Sequence, residues 1–579
     1  MDEFRVWAPD AKRVAVMVAG ASYAMDGPDA RGWWKAAVNA GPGTEYGFRL
    51  DDDAAIYPDP RSEWQPHGVH GLSRVYDQSV FAWSDAEWDA PPLASAILYE
   101  LHVGTFAPEG TFDGAIARLD YLVELGVTHV ELMPVAEFAG DRGWGYDGVA
   151  LFAVTENYGG PEGLKRLVDA CHARGLAMVL DVVYNHFGPV GNYSGKFGPY
   201  VTSRHWTPWG DAVNLEDSGS DEVRRFFCDN ALMWMREFHI DGLRLDAVHG
   251  FVDRSAVHFL EQLSVEVAAL QATVGRRLVL IAESDLNDPR VVQPREAAGY
   301  GMDAQWSDDF HHALFTVLHR EELGYYADFG ALGQLGKALT DVFVYDGQYS
   351  KYRRRRHGRP VGGLSAHRFL GFIQNHDQVG NRAKGDRLEQ IVGMDAAKVA
   401  AGIVLTAPFV PLLFQGEEFA ATTPFLYFAD HDDPEMAKAV REGRRREFAA
   451  FGFREQEIPD PEARATFERS RLNWAEADVG RHAEMQEWYR ALIRLRRRST
   501  ALNDGELGHT SVRWSEEDRW LAMDRGGVQV LANFGRREAS FEVPEGFHVE
   551  LVSRAGAGSD AGRIVLPAIT LAVISAETA

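Results

Sequence analysis

The chain has 579 residues, enough for several domains and a large buried core. Apolar residues make up 46% and charged residues 25%, as in ordinary soluble globular proteins, and the formal net charge of -26 argues against a nucleic-acid or anionic-membrane partner. Cys171 and Cys228 are the two cysteines. Neither has a CxxC partner, so both read as buried free thiols rather than metal ligands. The start, MDEFRVWAPD, has no basic n-region and no apolar h-region, and the long apolar run Val399 to Phe414 is interrupted by Pro408 and Pro411. A cytoplasmic location is the expectation.

Residues 1–92 are predicted to form an N-terminal, immunoglobulin-like β-sandwich of a possible carbohydrate-binding type. FRVWAP, RVAVMVAG, WWKAAV and TEYGFRL are short strand-like runs separated by Gly, Pro and Asp clusters. Trp33 and Trp34 fit either a sugar platform or the core. Pro91 and Pro92 mark the boundary.

From Ala96 the pattern alternates. AILYELHVGTF, VTHVELMPV, LAMVLDVVYNH, DGLRLDAVH, RLVLIAESD, GMDAQW, HRFLGFIQNHD and VPLLFQGEE read as eight strands, with helical stretches between most of them. An amphipathic helix is expected over Ala115 to Leu125 and a last one over Ala483 to Arg497. Eight βα units predict an α/β fold over residues 93–498, a (β/α)₈ TIM barrel rather than an open sheet. Two loops are long: Phe187 to about Ser220, rich in Gly, Pro, Tyr and Trp, and the stretch KYRRRRHGRP, Lys351 to Pro360. A charged stretch, His431 to Arg454, follows the eighth strand. Residues 499–579 return to short strands and predict a C-terminal antiparallel β domain.

Chemistry-bearing side chains recur at the strand ends: Asp181 and His186, Arg244 and Asp246, Glu283, then His376 and Asp377. In a parallel barrel these ends surround one mouth. Arg244 and Asp246 share one parity of DGLRLDAVH and therefore one face. They suit a structural ion pair, or a carboxylate kept ionised as a nucleophile. Metal-assisted hydrolysis would need clustered histidines, and here they are dispersed; no GxSxG serves acyl transfer. Glycosidic cleavage needs two carboxylates about one bond, and it fits best. On local chemistry Asp246 is the nucleophile. Glu283, after the apolar run LVLIA, is the acid whose desolvation raises its pKa. Asp377 binds sugar hydroxyls and favours positive charge. Tyr146, in RGWGYDG, offers a flat face to a sugar ring, or packs its loop.

DVVYNH, GLRLDAVH, the glutamate of IAESD, and NHD together resemble the α-amylase family of glycoside hydrolases, which carries four such motifs in this order. The resemblance covers essentially the whole chain. It implies a retaining mechanism with Asp246, Glu283 and Asp377 as nucleophile, acid/base and transition-state stabiliser. It further implies that His186, Arg244 and His376 contact the sugar, that Tyr146 stacks on it, and that Asp181 holds Arg244. Longer strings such as YELHVGTF, AESDLNDPR, QWSDDFHH and REGRRREF are similar to the subgroup that releases trehalose from maltooligosyltrehalose, an α-glucan oligosaccharide. Branching and debranching enzymes of the family are the alternative, and a non-catalytic glucan-binding relative a more distant one. Trp209, Tyr352 and Arg353, on the long loops, are candidate acceptor-side contacts. Some relatives bind calcium near the position of Asn185. Without a dense acidic loop, no metal and no cofactor is expected here.

Overall fold

The structure, a computed structural model, describes residues 2–576 apart from 322, 450–453, 455, 456 and 561. Near the N-terminus, strands Asp2–Trp7 and Trp33–Val38 pair antiparallel, and Val14–Val18, Ala21–Ala24, Glu45–Leu50 and Ser73–Arg74 form a second, four-stranded sheet. Val14, Val16 and Val18 alternate inward, as strands with one covered face require. Both tryptophans are taken by the protein. Trp34 is in the core, with Nε1 donating to the Ala8 carbonyl at 3.0 Å. Trp33 reaches across to the barrel, donating to Glu222 at 2.9 Å, and the guanidinium groups of Arg5 and Arg61 lie against its ring.

Eight parallel strands close a barrel. They are labelled β1 (Leu98–Leu101), β2 (His129–Leu132), β3 (Ala177–Val182), β4 (Gly242–Leu245), β5 (Val279–Ala282), β6 (Ala304–Trp306), β7 (Phe369–Gly371) and β8 (Val410–Phe414), each paired with its neighbour in sequence and β8 with β1. Every residue of these strands is buried, because helices cover the outside while side chains fill the inside. Leu98, Val179, Ile281, Leu370 and Leu412 belong to one apolar cluster in the barrel. Two residues beyond Leu98 and Val179 stand Glu100 and Asp181, so the filling turns polar toward the mouth. Cys171 and Cys228 are buried and unpaired thiols.

The elements differ from expectation in three places. β1 stops at Leu101, where the His102 N–H turns to Gln415, and Val103–Phe106 forms one helical turn. The helix expected over Ala115 to Leu125 is two, Phe112–Ile116 and Leu119–Leu125; the Arg118 N–H bonds three residues back, and the new axis brings Leu119, Leu122 and Leu125 to the core. β5 and β6 are joined by two single-turn helices, Pro289–Val291 and Arg295–Ala297, instead of a full one. The long loops are hairpins, Val201–Thr207 with Gly210–Val213 and Asp346–Ser350 with Arg355–Gly358. The charged stretch after β8 holds a helix, Pro434–Ala449, and Arg454 lies outside it.

After helix Arg481–Arg498 the chain forms a five-stranded and a three-stranded antiparallel sheet. Arg525 is buried where this part meets the barrel and donates to the carbonyls of Thr406, Ala407 and Leu502. Five donors in a rigid fork can satisfy several otherwise unpaired carbonyls at once. Among the described residues no helix is long and apolar enough to cross a membrane.

Candidate active site

Pairing register builds the centre. Asp181 on β3 lies opposite Arg244 on β4, so both side chains point into the barrel. Arg244 is wholly buried over the Trp306 ring, 4.1 Å from its centroid. Its Nη1 donates to Asp181 at 2.7 Å and to Asp246 at 2.9 Å, and its Nη2 to Glu283 at 2.9 Å. One guanidinium thus gathers three carboxylates from three strand ends. A cation shared this way resists losing its proton, and Arg244 is held well above its ordinary value, against the pull of burial, by Asp181 first and Glu283 next.

Asp246 does not follow the simple ion-pair expectation. Burial pushes its carboxyl above the usual range; Arg244 pulls it down, and Asp181 and Asp377 push it up again. Both partners of the pair move upward, Asp246 because burial outweighs the pull of Arg244, and Arg244 because the carboxylates around it outweigh burial. Glu283 stands just beyond the apolar run, largely buried, with Oε2 accepting from Arg244 and, at 2.8 Å, from the Ala247 N–H. Ala247 itself has φ 38°, a left-handed conformation unusual for a residue with a Cβ. That backbone is held by the bond to Glu283 and by the Val248 N–H on the Glu283 carbonyl at 2.9 Å.

His376 is the second cation. Its backbone N–H donates to Glu100 Oε2 at 2.9 Å and its ring Nδ1 to Glu100 Oε1 at 2.5 Å. Burial would lower its pKa, but Glu100 and then Asp377 raise it to about 9. Asp377 lies 3.6 Å from the other ring nitrogen and accepts from Asn381 at 3.0 Å. Tyr146 donates to Asp181 at 2.6 Å and stacks on His376, ring centroids 5.0 Å apart. Burial lowers the His186 pKa, and its ring hydrogen-bonds the Tyr146 carbonyl at 3.0 Å. Trp209, from the hairpin after β3, lies parallel over His186 at 5.4 Å.

Asp246, Glu283 and Asp377 line one open cavity of about 550 Å³, together with Tyr146, His186, Trp209 and His376. Arg244 lies behind that wall. Tyr352 and Arg353 are not among the lining residues. Tyr352 is exposed on its hairpin, with its N–H on Asp328, and Arg353 pairs with Asp285 at 3.0 Å. Sequence reasoning missed Trp144, Asn381, Tyr427 and Arg444, which also stand in the wall. Arg444 comes from helix Pro434–Ala449, where it lay unnoticed in a run of charges; it donates to the Gly380 carbonyl at 3.1 Å and lies over Tyr427. Glu100 was also missed, since a lone glutamate within a strand gives no signal of the histidine it holds. Among the described residues no cluster of His, Cys, Asp and Glu is placed to hold a metal ion.

Residues 56–212 match the family described as "Alpha amylase, catalytic domain", and residues 505–573 match a "Domain of unknown function (DUF3459)". The chain is 48% identical over 579 residues to the malto-oligosyltrehalose trehalohydrolase of Rhizobium sp. (strain M-11), covering 99% of this chain and 97% of that one. It is 51% identical over 499 residues to that of Arthrobacter ramosus, covering 85% and 87%. A solved structure from Salmonella typhimurium, assigned as an alpha amylase, superposes with a TM-score of 0.91 at 37% identity, covering 99% of this chain and 97% of that chain. A pullulanase from Anoxybacillus sp. LM18-11, at 18% identity and a TM-score of 0.72 over 99% of this chain and 86% of that one, shares the fold. The chain belongs to the malto-oligosyltrehalose trehalohydrolases of the α-amylase family.

Proposed function

We propose that the cleft hydrolyses, with retention, the α-1,4-glucosidic bond next to the terminal trehalose unit of maltooligosyltrehalose, releasing trehalose, and that it does so in the cytoplasm. The observation that carries the chemistry is the Arg244 guanidinium, which donates to Asp246 and Glu283 at once while both face one cavity. Carboxylates bridged by a single guanidinium fit the separation of about 5–5.5 Å of retaining glycosidases better than the wider inverting distance. The identity of 42–51% to enzymes named malto-oligosyltrehalose trehalohydrolase supports the substrate; a 1,4-alpha-glucan branching enzyme from Shewanella sp. (strain MR-4) shares 30% over 72% of the chain.

In the first step Glu283 gives its proton to the glycosidic oxygen as an Asp246 oxygen bonds to the anomeric carbon. The carbon–oxygen bond to trehalose breaks, and the maltooligosyl unit remains as an ester of Asp246. Glu283, now a carboxylate, then takes a proton from a water whose oxygen displaces Asp246 from the same carbon. Asp377 and the His376 imidazolium bind hydroxyls of the reacting sugar as positive charge develops on its ring. Tyr146 and Trp209 provide flat faces for stacking. The reaction is tested by incubating the protein with maltooligosyltrehalose and, separately, with amylopectin. Free trehalose is expected from the first. No trehalose from the first, with altered branching of the second, would overturn the reading.

A further inference from the structure

Beneath the catalytic carboxylates lies an acid with no part in these steps. Glu131, on β2, is in register with Glu100 on β1, so the two side chains enter the barrel together. It is completely buried, and neither Oε1 nor Oε2 has a hydrogen-bond partner among the described residues. Glu100, in contrast, accepts from His376 through both oxygens. The charged groups that face Glu131 are Glu100 on β1, Asp181 on β3, Arg244 on β4 and His376 beyond β7.

The two cations in this set are already committed. Arg244 serves Asp181, Asp246 and Glu283, and His376 serves Glu100 with Asp377 nearby. One more ionised carboxyl, with no donor on it, would be an unpaired buried charge, which a protein avoids by keeping the acid neutral. A neutral carboxyl also gains something to offer, a single O–H. Across the strand pair the acceptor in register is Glu100, whose oxygens each keep a lone pair after bonding His376.

We propose that Glu131 is a positioning residue of the hydrolysis: a neutral carboxyl whose O–H is directed at Glu100, directly or through one water, so that Glu100 keeps His376 charged and fixed in the cleft. The inference rests on the glycosidase reading of the cleft, because His376 matters to activity only where a reacting sugar binds. Burial, and then the neighbouring Glu100 charge, push the Glu131 carboxyl well above the carboxylate range, the direction this role requires.

Two variants test it. Glu131→Gln keeps the shape, the neutrality and a donor; Glu131→Met keeps the bulk and removes the donor. Trehalose release is compared with wild type from neutral to alkaline pH, beside thermal unfolding and the infrared carboxyl region. The Gln variant is expected to keep kcat/KM within about threefold of wild type. The Met variant should fold, lose kcat about tenfold or more with little change in KM, and show an alkaline limb displaced from that of wild type, because the donor on Glu100 alters how that carboxylate holds the His376 proton. The wild-type spectrum minus that of the Gln variant should contain a protonated carboxyl stretch. Equal loss in both variants, an unaltered pH profile in the Met variant, or an ionised carboxylate in the difference spectrum would each overturn the proposal. If wild type itself releases no trehalose, the functional reading fails instead, and the infrared result still decides the state of Glu131.

Discussion

At the scale of single residues, Arg244 is the centre on which the others depend. An exposed ion pair of this kind would contribute little, but a fully buried guanidinium must have its donors satisfied, and here catalytic groups satisfy them. The same contacts aim Asp246 and Glu283. Replacing Asp246 by Ala removes the proposed nucleophile and leaves Arg244 with Asp181 and Glu283. Trehalose release should fall by roughly 10⁴-fold or more, as when a covalent nucleophile is removed elsewhere. The rate is read as trehalose formed per enzyme, with circular dichroism confirming the fold. Activity within tenfold of wild type would show that another group attacks the sugar.

Among elements, the hairpin Val201–Thr207 and Gly210–Val213 has the clearest task. It carries Trp209 to a parallel position over His186, and Gly250 lets the ring come close: a Cβ on Gly250 would lie 3.0 Å from the Trp209 ring. Trp209 remains 41% exposed, which leaves a face for a sugar. Trp209→Ala should raise KM about fivefold, the equivalent of ~1 kcal/mol of stacking, with kcat changed less. Steady-state kinetics on maltooligosyltrehalose separates the two parameters. An unchanged KM would leave the hairpin a purely structural role. Helix Pro434–Ala449 supplies another part of the wall through Val440, Gly443 and Arg444.

For the molecule as a whole, burial of ionisable groups sets the response to pH. His376 is raised to about 9, and His172, which bonds Asp85 and Asp241, is also raised despite its burial. Each binds a proton more tightly folded than unfolded. Its stabilisation is therefore complete below about pH 6.5 and is lost as pH climbs through the folded value. Burial also raises Glu137 and Glu417, each to about 8. These acids stay protonated in the folded chain where the unfolded chain has released them, so they too weaken the fold as pH rises. Both sets act in one direction. The unfolding temperature should decline steadily from pH 7 to about 9, and His376→Gln should flatten part of that decline. Differential scanning fluorimetry over a pH series measures both, and a slope unaffected by His376→Gln would show that this histidine is not charged in the fold.

Much was legible in the chain because it is local. Alternation and burial run lengths mark the eight strands, since a strand covered on both faces must be apolar along its length. The strand-end residues Asp246, Glu283 and Asp377 stand out because a charge ending such a run needs a reason to be there. What the chain alone could not show depends on distance in space. Arg244 bonding three acids, Glu100 holding His376, and Arg444 joining the wall all link residues far apart in sequence, and no periodicity records them. The direction in which the Asp246 carboxyl moves was misjudged for the same reason. Its neighbour Arg244 is visible in the sequence, but the burial and the competing carboxylates that outweigh it exist only once the barrel closes.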